Sequence, residues 1–191
     1  MRFSIGLIAL TAATANALVP APTLTLRLSD LTLIVTNLLG PVDKISTGSM
    51  VPFLSGNGPV YTLATDLTKG VQISSQLFSG SGFTSSDSLT HATTDPLLAA
   101  VVKLADSTTV LMNGISSKGN VFSSSPLVAI PVNAFIASTK NSFDNLLNAI
   151  TAALATSSAA QDGTLNKAIA SIATMDTAFQ NALDATNVLS T

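Results

Sequence analysis

Five stretches of this chain repeat apolar residues in alternating steps of three and four, and nothing else in the sequence constrains the fold as strongly. Leu28, Leu31, Val35, Leu38, Val42 and Ile45 make the first stripe, and Val60, Leu63, Leu67, Val71, Ser74 and Leu77 the second. Leu97, Val101, Leu104, Thr108, Leu111 and Ile115 make the third. The fourth holds Val132, Phe135, Thr139, Phe143, Leu146, Ile150 and Leu154, and the fifth Leu165, Ile169, Ile172, Met175, Phe179 and Leu183. Such spacing gathers each set on one face of an α-helix. No run alternates with period two between turn residues. The expectation is an all-α fold, with about five amphipathic helices in a largely antiparallel bundle that buries the five stripes together.

Turn chemistry sets the expected boundaries. Ser29 and Asp30 suit a helix start, and Gly40-Pro41 ends or bends the first helix, because Pro41 has no amide and clashes with the preceding turn. Thr47 to Pro59, Ser79 to Ser88 and Ser157 to Gly163 read as breaks rich in small and polar residues. Thr94-Asp95-Pro96 predicts the start of the third helix and Pro131 the first turn of the fourth. Asn113-Gly114 and Lys118-Gly119 are stop signals.

Residues 1–17 have the form of a secretory signal: Arg2, an apolar run from Phe3 to Leu10, and the small-x-small site Ala15-Asn16-Ala17. One helical-bundle domain, 18–191, is expected after cleavage. No later segment reads as long and apolar enough to span a bilayer, so no transmembrane segment is expected and the protein is placed outside the cell or in its wall. There are 0 cysteines. A domain of this size can hold itself together by packing without disulfides.

Composition then removes most functions. Charged residues are 9% of the chain, against roughly 25% in ordinary domains. The net charge of -2 gives no attraction for phosphate backbones, so nucleic acid is excluded as a partner. A Ser–His–Asp relay has only His91 to draw on, and there is no Gly-x-Ser-x-Gly elbow. No two Asp residues stand three or four apart, Glu is absent, and no His/Cys/acid cluster offers a metal site. The chain therefore reads as non-enzymatic, without catalytic residues, metal or cofactor. Its solubility rests on neutral polar groups, since Ser, Thr, Asn and Gln make up 64 of 191 residues.

What remains distinctive is the apolar face set itself. Most of these residues pack a bundle core, but an interior mixing Ala and Thr with Leu, Ile, Met and Phe, between helices interrupted by Pro and Gly, can also hold an acyl chain or part its helices to lay apolar faces on an oily surface. The large mid-helix residues Leu104, Leu111, Phe135, Phe143, Ile150, Ile172 and Phe179 are the candidate lining.

Several segments resemble a fungal family, the hydrophobic surface-binding proteins and cell-wall galactomannoproteins. The likeness runs from Ser29-Asp30-Leu31-Thr32 through Asp95-Pro96-Leu97-Leu98-Ala99-Ala100-Val101-Val102 to Gly114-Ile115, Lys118 and Phe122. It continues in Ser138-Thr139-Lys140-Asn141-Ser142-Phe143-Asp144 and in Ile172-Ala173-Thr174-Met175-Asp176-Thr177-Ala178-Phe179. The resemblance implies a five-helix bundle, binding of lipids or hydrophobic surfaces, association with the fungal wall with polysaccharide as a further partner, and no catalytic residues. The alternative function is a structural, O-glycosylated wall mannoprotein with a packed core and no ligand.

Overall fold

A computed structural model describes residues 20–80, 91–155 and 163–187. The signal sequence with its cleavage site, most of the Ser79–Ser88 break and residues 157–162 of the next break lie outside them. The described residues are helical throughout, without a strand. Five long helices carry the fold: α1 (Ala21–Asn37), α4 (Gly58–Gly80), α5 (His91–Ser116), α7 (Pro126–Ala155) and α8 (Thr164–Thr186). Between them lie the five-residue helices α2 (Leu39–Asp43), α3 (Met50–Leu54) and α6 (Gly119–Ser123), with a 3-10 turn at Thr47–Ser49.

Three helices begin earlier than their turn residues predict. α1 starts at Ala21 rather than near Ser29, with a proline in its first turn, where the missing amide would be unpaired anyway. Pro96 and Pro131 sit inside α5 and α7 instead of opening them. The carbonyls these prolines leave unbonded belong to Ala92 and Leu127, both exposed, so water can satisfy them. Gly40-Pro41 does interrupt the first helix, which stops at Asn37 and resumes as α2.

Cross-helix contacts give the topology. Asn133, early in α7, donates from its amide to the Leu183 carbonyl and the Thr186 hydroxyl late in α8, at 2.8 and 2.9 Å, so α7 and α8 are antiparallel. Ser116 at the end of α5 bonds the Asn181 carbonyl, making α5 parallel to α8. The end of α2 meets the end of α5, where Lys118 donates to the Asp43 carbonyl. Phe135 lies beside Thr68, and Phe143 lies beside Gly70 further along, so α4 and α7 are parallel. The long helices thus alternate direction along the chain, while in space they close a ring in the order α1, α5, α8, α7, α4. Because that order is not the chain order, three of the five neighbouring pairs are parallel, which corrects the expectation of a largely antiparallel bundle. Starts of α4 and α7 and ends of α1, α5 and α8 share one end of the bundle.

The stripes form the core. All six residues of the first and of the third are buried. α5 and α8 pack most extensively, with Ala105, Ala168, Ala178 and Ala182 buried. Small side chains let two helix backbones approach closely. The Phe143 and Phe179 rings meet edge to face at 6.5 Å and tie α7 to α8. Each fully buried Leu or Phe contributes about 1.5–3 kcal/mol. Core hydroxyls return to their own helices: Thr32 donates to the Leu28 carbonyl, Thr139 to Phe135 and Thr151 to Leu147. A threonine-rich core therefore leaves few polar groups unpaired.

Two corrections concern the helices. Ile169 is exposed, and Ala168 takes its place on the inner face of α8. Among the described residues one helix, α5 over Ala92–Ser116, is by length and composition apolar enough to cross a membrane, contrary to the sequence expectation. It packs between α1 and α8, and 44% of its 18-residue apolar stretch is buried in the bundle.

Candidate functional site

The candidate site is an apolar groove where α3 leans on α4 and α7. Its lining is Phe53, Leu54, Gly56, Tyr61, Ala64, Thr65, Thr68 and Phe135, around a volume of about 340 Å³. A smaller recess of about 120 Å³ continues from it past Thr68 and Phe135 to Val71 and Ser138. The first volume falls inside the ordinary range for small-molecule sites, about 300–1,000 Å³.

The groove's shape is built from the sequence upward. Gly56 and Gly58 adopt φ of 74° and 86°, a region open to glycine at little cost. A Cβ on Gly58 would stand 2.9 Å from the Pro52 Cβ, so only a bare backbone can pass there. This turn folds α3 back, placing Phe53 and Leu54 over the start of α4. Its anchor on the other side is Ser49, buried, whose hydroxyl accepts from the Ser46 amide and donates to the Lys44 carbonyl. α4 presents Ala64, Thr65 and Thr68 to the groove, and these leave space in front of Phe135.

Chemically the wall is drier than its residue names suggest. Thr65 donates its hydroxyl to the Tyr61 carbonyl at 3.0 Å and Thr68 to Ala64 at 2.8 Å. With those donors engaged, the threonines can turn their methyl groups to a guest. The lining carries no charged side chain. A bound acid would find no cation there and would keep its carboxylate at the mouth, in water.

A larger, shallow cleft of about 460 Å³ lies between α5 and α8, lined by Thr109, Asn113, Ala173, Thr174, Thr177, Ala178 and Asn181. Amides, hydroxyls and alanine methyls make it a poor seat for an acyl chain. Volume alone does not decide between the two; the aromatic and aliphatic lining does.

Of the seven residues expected to line a binding interior, Phe135 is half-buried on the groove. Leu104, Leu111, Phe143, Ile150, Ile172 and Phe179 are buried in the core and line neither described groove. Phe53 and Leu54 escaped the sequence reading because Thr47 to Pro59 reads as a loop, and Tyr61 because it falls between the Val60 and Leu63 positions of the second stripe. The available signal was the apolar cluster Met50, Val51, Phe53 and Leu54 beside the chain's one tyrosine.

One charged cluster bridges α7 and α8. Lys140 donates to Asp144 and, at 3.1 Å, to Asp176. Burial works to lower the Lys140 pKa, but its hydrogen bonds to the two carboxylates outweigh this and hold it above the ordinary value. Burial, aided by Asp176, holds the Asp144 carboxyl above its ordinary value despite Lys140. Among the described residues no group of His, Cys or acids is placed to hold a metal ion.

The fold has a solved counterpart. The chain superposes on AfMP4p, an Aspergillus fumigatus mannoprotein crystallised in complex with palmitic acid, with a TM-score of 0.62 and 16% identity. The alignment covers 87% of this chain and 99% of that one. At this identity the likeness is one of fold. No family model and no curated protein matches the sequence.

Proposed function

We propose that this is a secreted, non-enzymatic protein that binds the acyl chain of a fatty acid or related lipid in the groove between α3, α4 and α7. One observation carries the reading: an uncharged, aromatic-lined groove of about 340 Å³ opens on a bundle whose large core residues are otherwise packed. The palmitate bound by a mannoprotein of the same fold supports it. Each methylene of a bound chain that the groove removes from water contributes about 0.8 kcal/mol. The uncharged lining gives the reading a specific consequence. Hexadecanol should bind within about threefold of palmitate, since no side chain recognises the carboxylate.

The test is uptake of palmitate by delipidated protein, compared with Ala64→Phe, which puts an aromatic ring into the groove from α4. Wild type is expected to bind one chain and Ala64→Phe to lose at least about tenfold, equivalent to 1.4 kcal/mol. Equal binding by the two, with the variant folded, refutes the groove as the site.

A further inference from the structure

The groove and the recess behind it share Thr68 and Phe135, so they are two parts of one furrow. Tyr61, Ala64, Thr65, Thr68 and Val71 line it from α4, at the spacing of a single helix face. The furrow therefore runs lengthwise on α4, and from Tyr61 to Val71 the helix rises about 15 Å. Phe135 and Ser138 form the facing wall on α7, which runs parallel to α4. The two ends differ. At the α3 end the furrow is wide, and Leu54 and Tyr61 are exposed on it. At the other end it narrows to the recess of about 120 Å³, which is more closed in than the groove. Thr68 keeps its hydroxyl on the Ala64 carbonyl there, so its methyl is free to line the space. Deeper along α4 the side chains are packed: the Phe143 ring lies 3.9 Å from a Cβ placed on Gly70, and Ser74, a turn further, is fully buried.

From this shape we infer that the furrow measures its ligand: the recess beyond Phe135 seats the methyl end of the acyl chain, and Val71 and Ser138 set how much chain fits. The inference rests on reading the groove as the acyl-chain site. A methyl end has nothing to solvate and suits the closed end, while the polar head stays at the wide end, in water. An extended chain advances about 1.25 Å per carbon, from bonds of about 1.5 Å at about 111°. A furrow about 15 Å long thus takes about 12 carbons. Each carbon that enters raises affinity by up to about fourfold, and each carbon beyond the mouth adds little. Palmitate would leave about four carbons and its carboxylate outside.

The experiment measures the affinity of delipidated protein for octanoate, decanoate, dodecanoate, myristate and palmitate, by displacement of the fluorescent fatty acid cis-parinaric acid. Wild type is expected to gain about two- to fourfold per carbon up to about dodecanoate, and less than about twofold in all from there to palmitate. Val71→Phe and Ser138→Leu each fill the recess from one wall. The stretch from Thr68 to Val71 is about 4.5 Å, so each should bring the plateau about three carbons earlier. The dodecanoate-to-octanoate affinity ratio should then fall at least about eightfold. Ser138 is exposed, so its variant tests the recess even where Val71→Phe disturbs packing. Val110→Phe puts the same ring on the exposed side of α5 and should leave the plateau where it is. The inference is overturned if wild-type affinity climbs evenly from octanoate to palmitate, if both recess variants keep the wild-type plateau, or if Val110→Phe moves it as far. Ala64→Phe separates this from failure of the groove. If it weakens every chain and no plateau exists, the groove stands and the measuring recess falls; if it weakens none, the groove reading falls and this inference with it.

Discussion

Gly58 is the residue on which the groove's geometry turns, and Gly163 provides its control. Both have positive φ, 86° and 51°, so alanine at either costs about 1–2 kcal/mol of backbone strain. Their surroundings differ. Nothing lies within 4 Å of a Cβ on Gly163, whereas one on Gly58 would meet the Pro52 Cβ at 2.9 Å. Relieving that contact to the ordinary 3.5–4.0 Å means moving α3 by most of an ångström, and such overpacking costs about 1–3 kcal/mol. Gly163→Ala should therefore lower the melting temperature by about 2–8 °C, and Gly58→Ala by a further 2–12 °C, at about 2–4 °C per kcal/mol for a chain of this size. If α3 swings outward instead, the stability loss shrinks but Phe53 and Leu54 leave the groove wall, and palmitate affinity falls. Calorimetric melts and palmitate titrations on both variants check this. If Gly58→Ala matched Gly163→Ala in melting and wild type in affinity, the coupling of this turn to the groove would be refuted.

Three further outcomes follow from the core. The Thr108 hydroxyl is buried without a hydrogen-bond partner, so Thr108→Val should stabilise by about 1–3 kcal/mol, whereas Thr139→Val, which loses a 2.8 Å bond, should not; denaturant titration of the pair decides it. Gly70→Ala should stabilise by about 0.5–1 kcal/mol, because the added methyl meets the Phe143 ring at an ordinary 3.9 Å inside a continuous helix; a lowered melting temperature would contradict the packing described. Asp144 titrates above its ordinary 3.8 in the folded state, so its contribution is fully present below that value and is lost as pH rises through the raised one. Melting temperatures of wild type and Asp144→Asn, followed from acid to neutral pH, should thus diverge in favour of wild type at the acid end, and parallel curves would count against it.

The core was legible because it depends on periodicity alone. Each residue of the first and third stripes is buried, and a spacing of three and four suffices to say so. The errors fall where periodicity is blind. Ile169 and Ala168 are one position apart, and hydrophobicity favours the isoleucine while packing against α5 favours the smaller residue. Phe135 is displaced in the same manner by Ile136, which is fully buried, and the phenylalanine is left at the seam with α4. The groove was out of reach for a different reason. A five-residue helix carries too few residues to show a period, and the Gly and Pro residues that fold α3 against α4 are those that announce a loop. Ring order was equally hidden, since alternating directions along the chain do not say which helices become neighbours.

The same composition yields a tight seam on one side of the bundle and a groove on the other. Between α5 and α8, Ala105, Ala168, Ala178 and Ala182 are buried, and the helices close over the small side chains. Between α4 and α7, Ala64, Thr65 and Thr68 lie in front of a phenylalanine, and α3 stands across the opening on its two glycines. Phe135 stands at that seam, and beyond Tyr61 at the groove's end α4 faces it only with Ala64, Thr65 and Thr68, which leave the space in front of it open. A densely packed interior resists such voids, so space for an apolar chain arises at the margin of the core, where a large residue faces small ones under a short helix. The groove is therefore a property of how α3 is held, more than of how greasy the five stripes are.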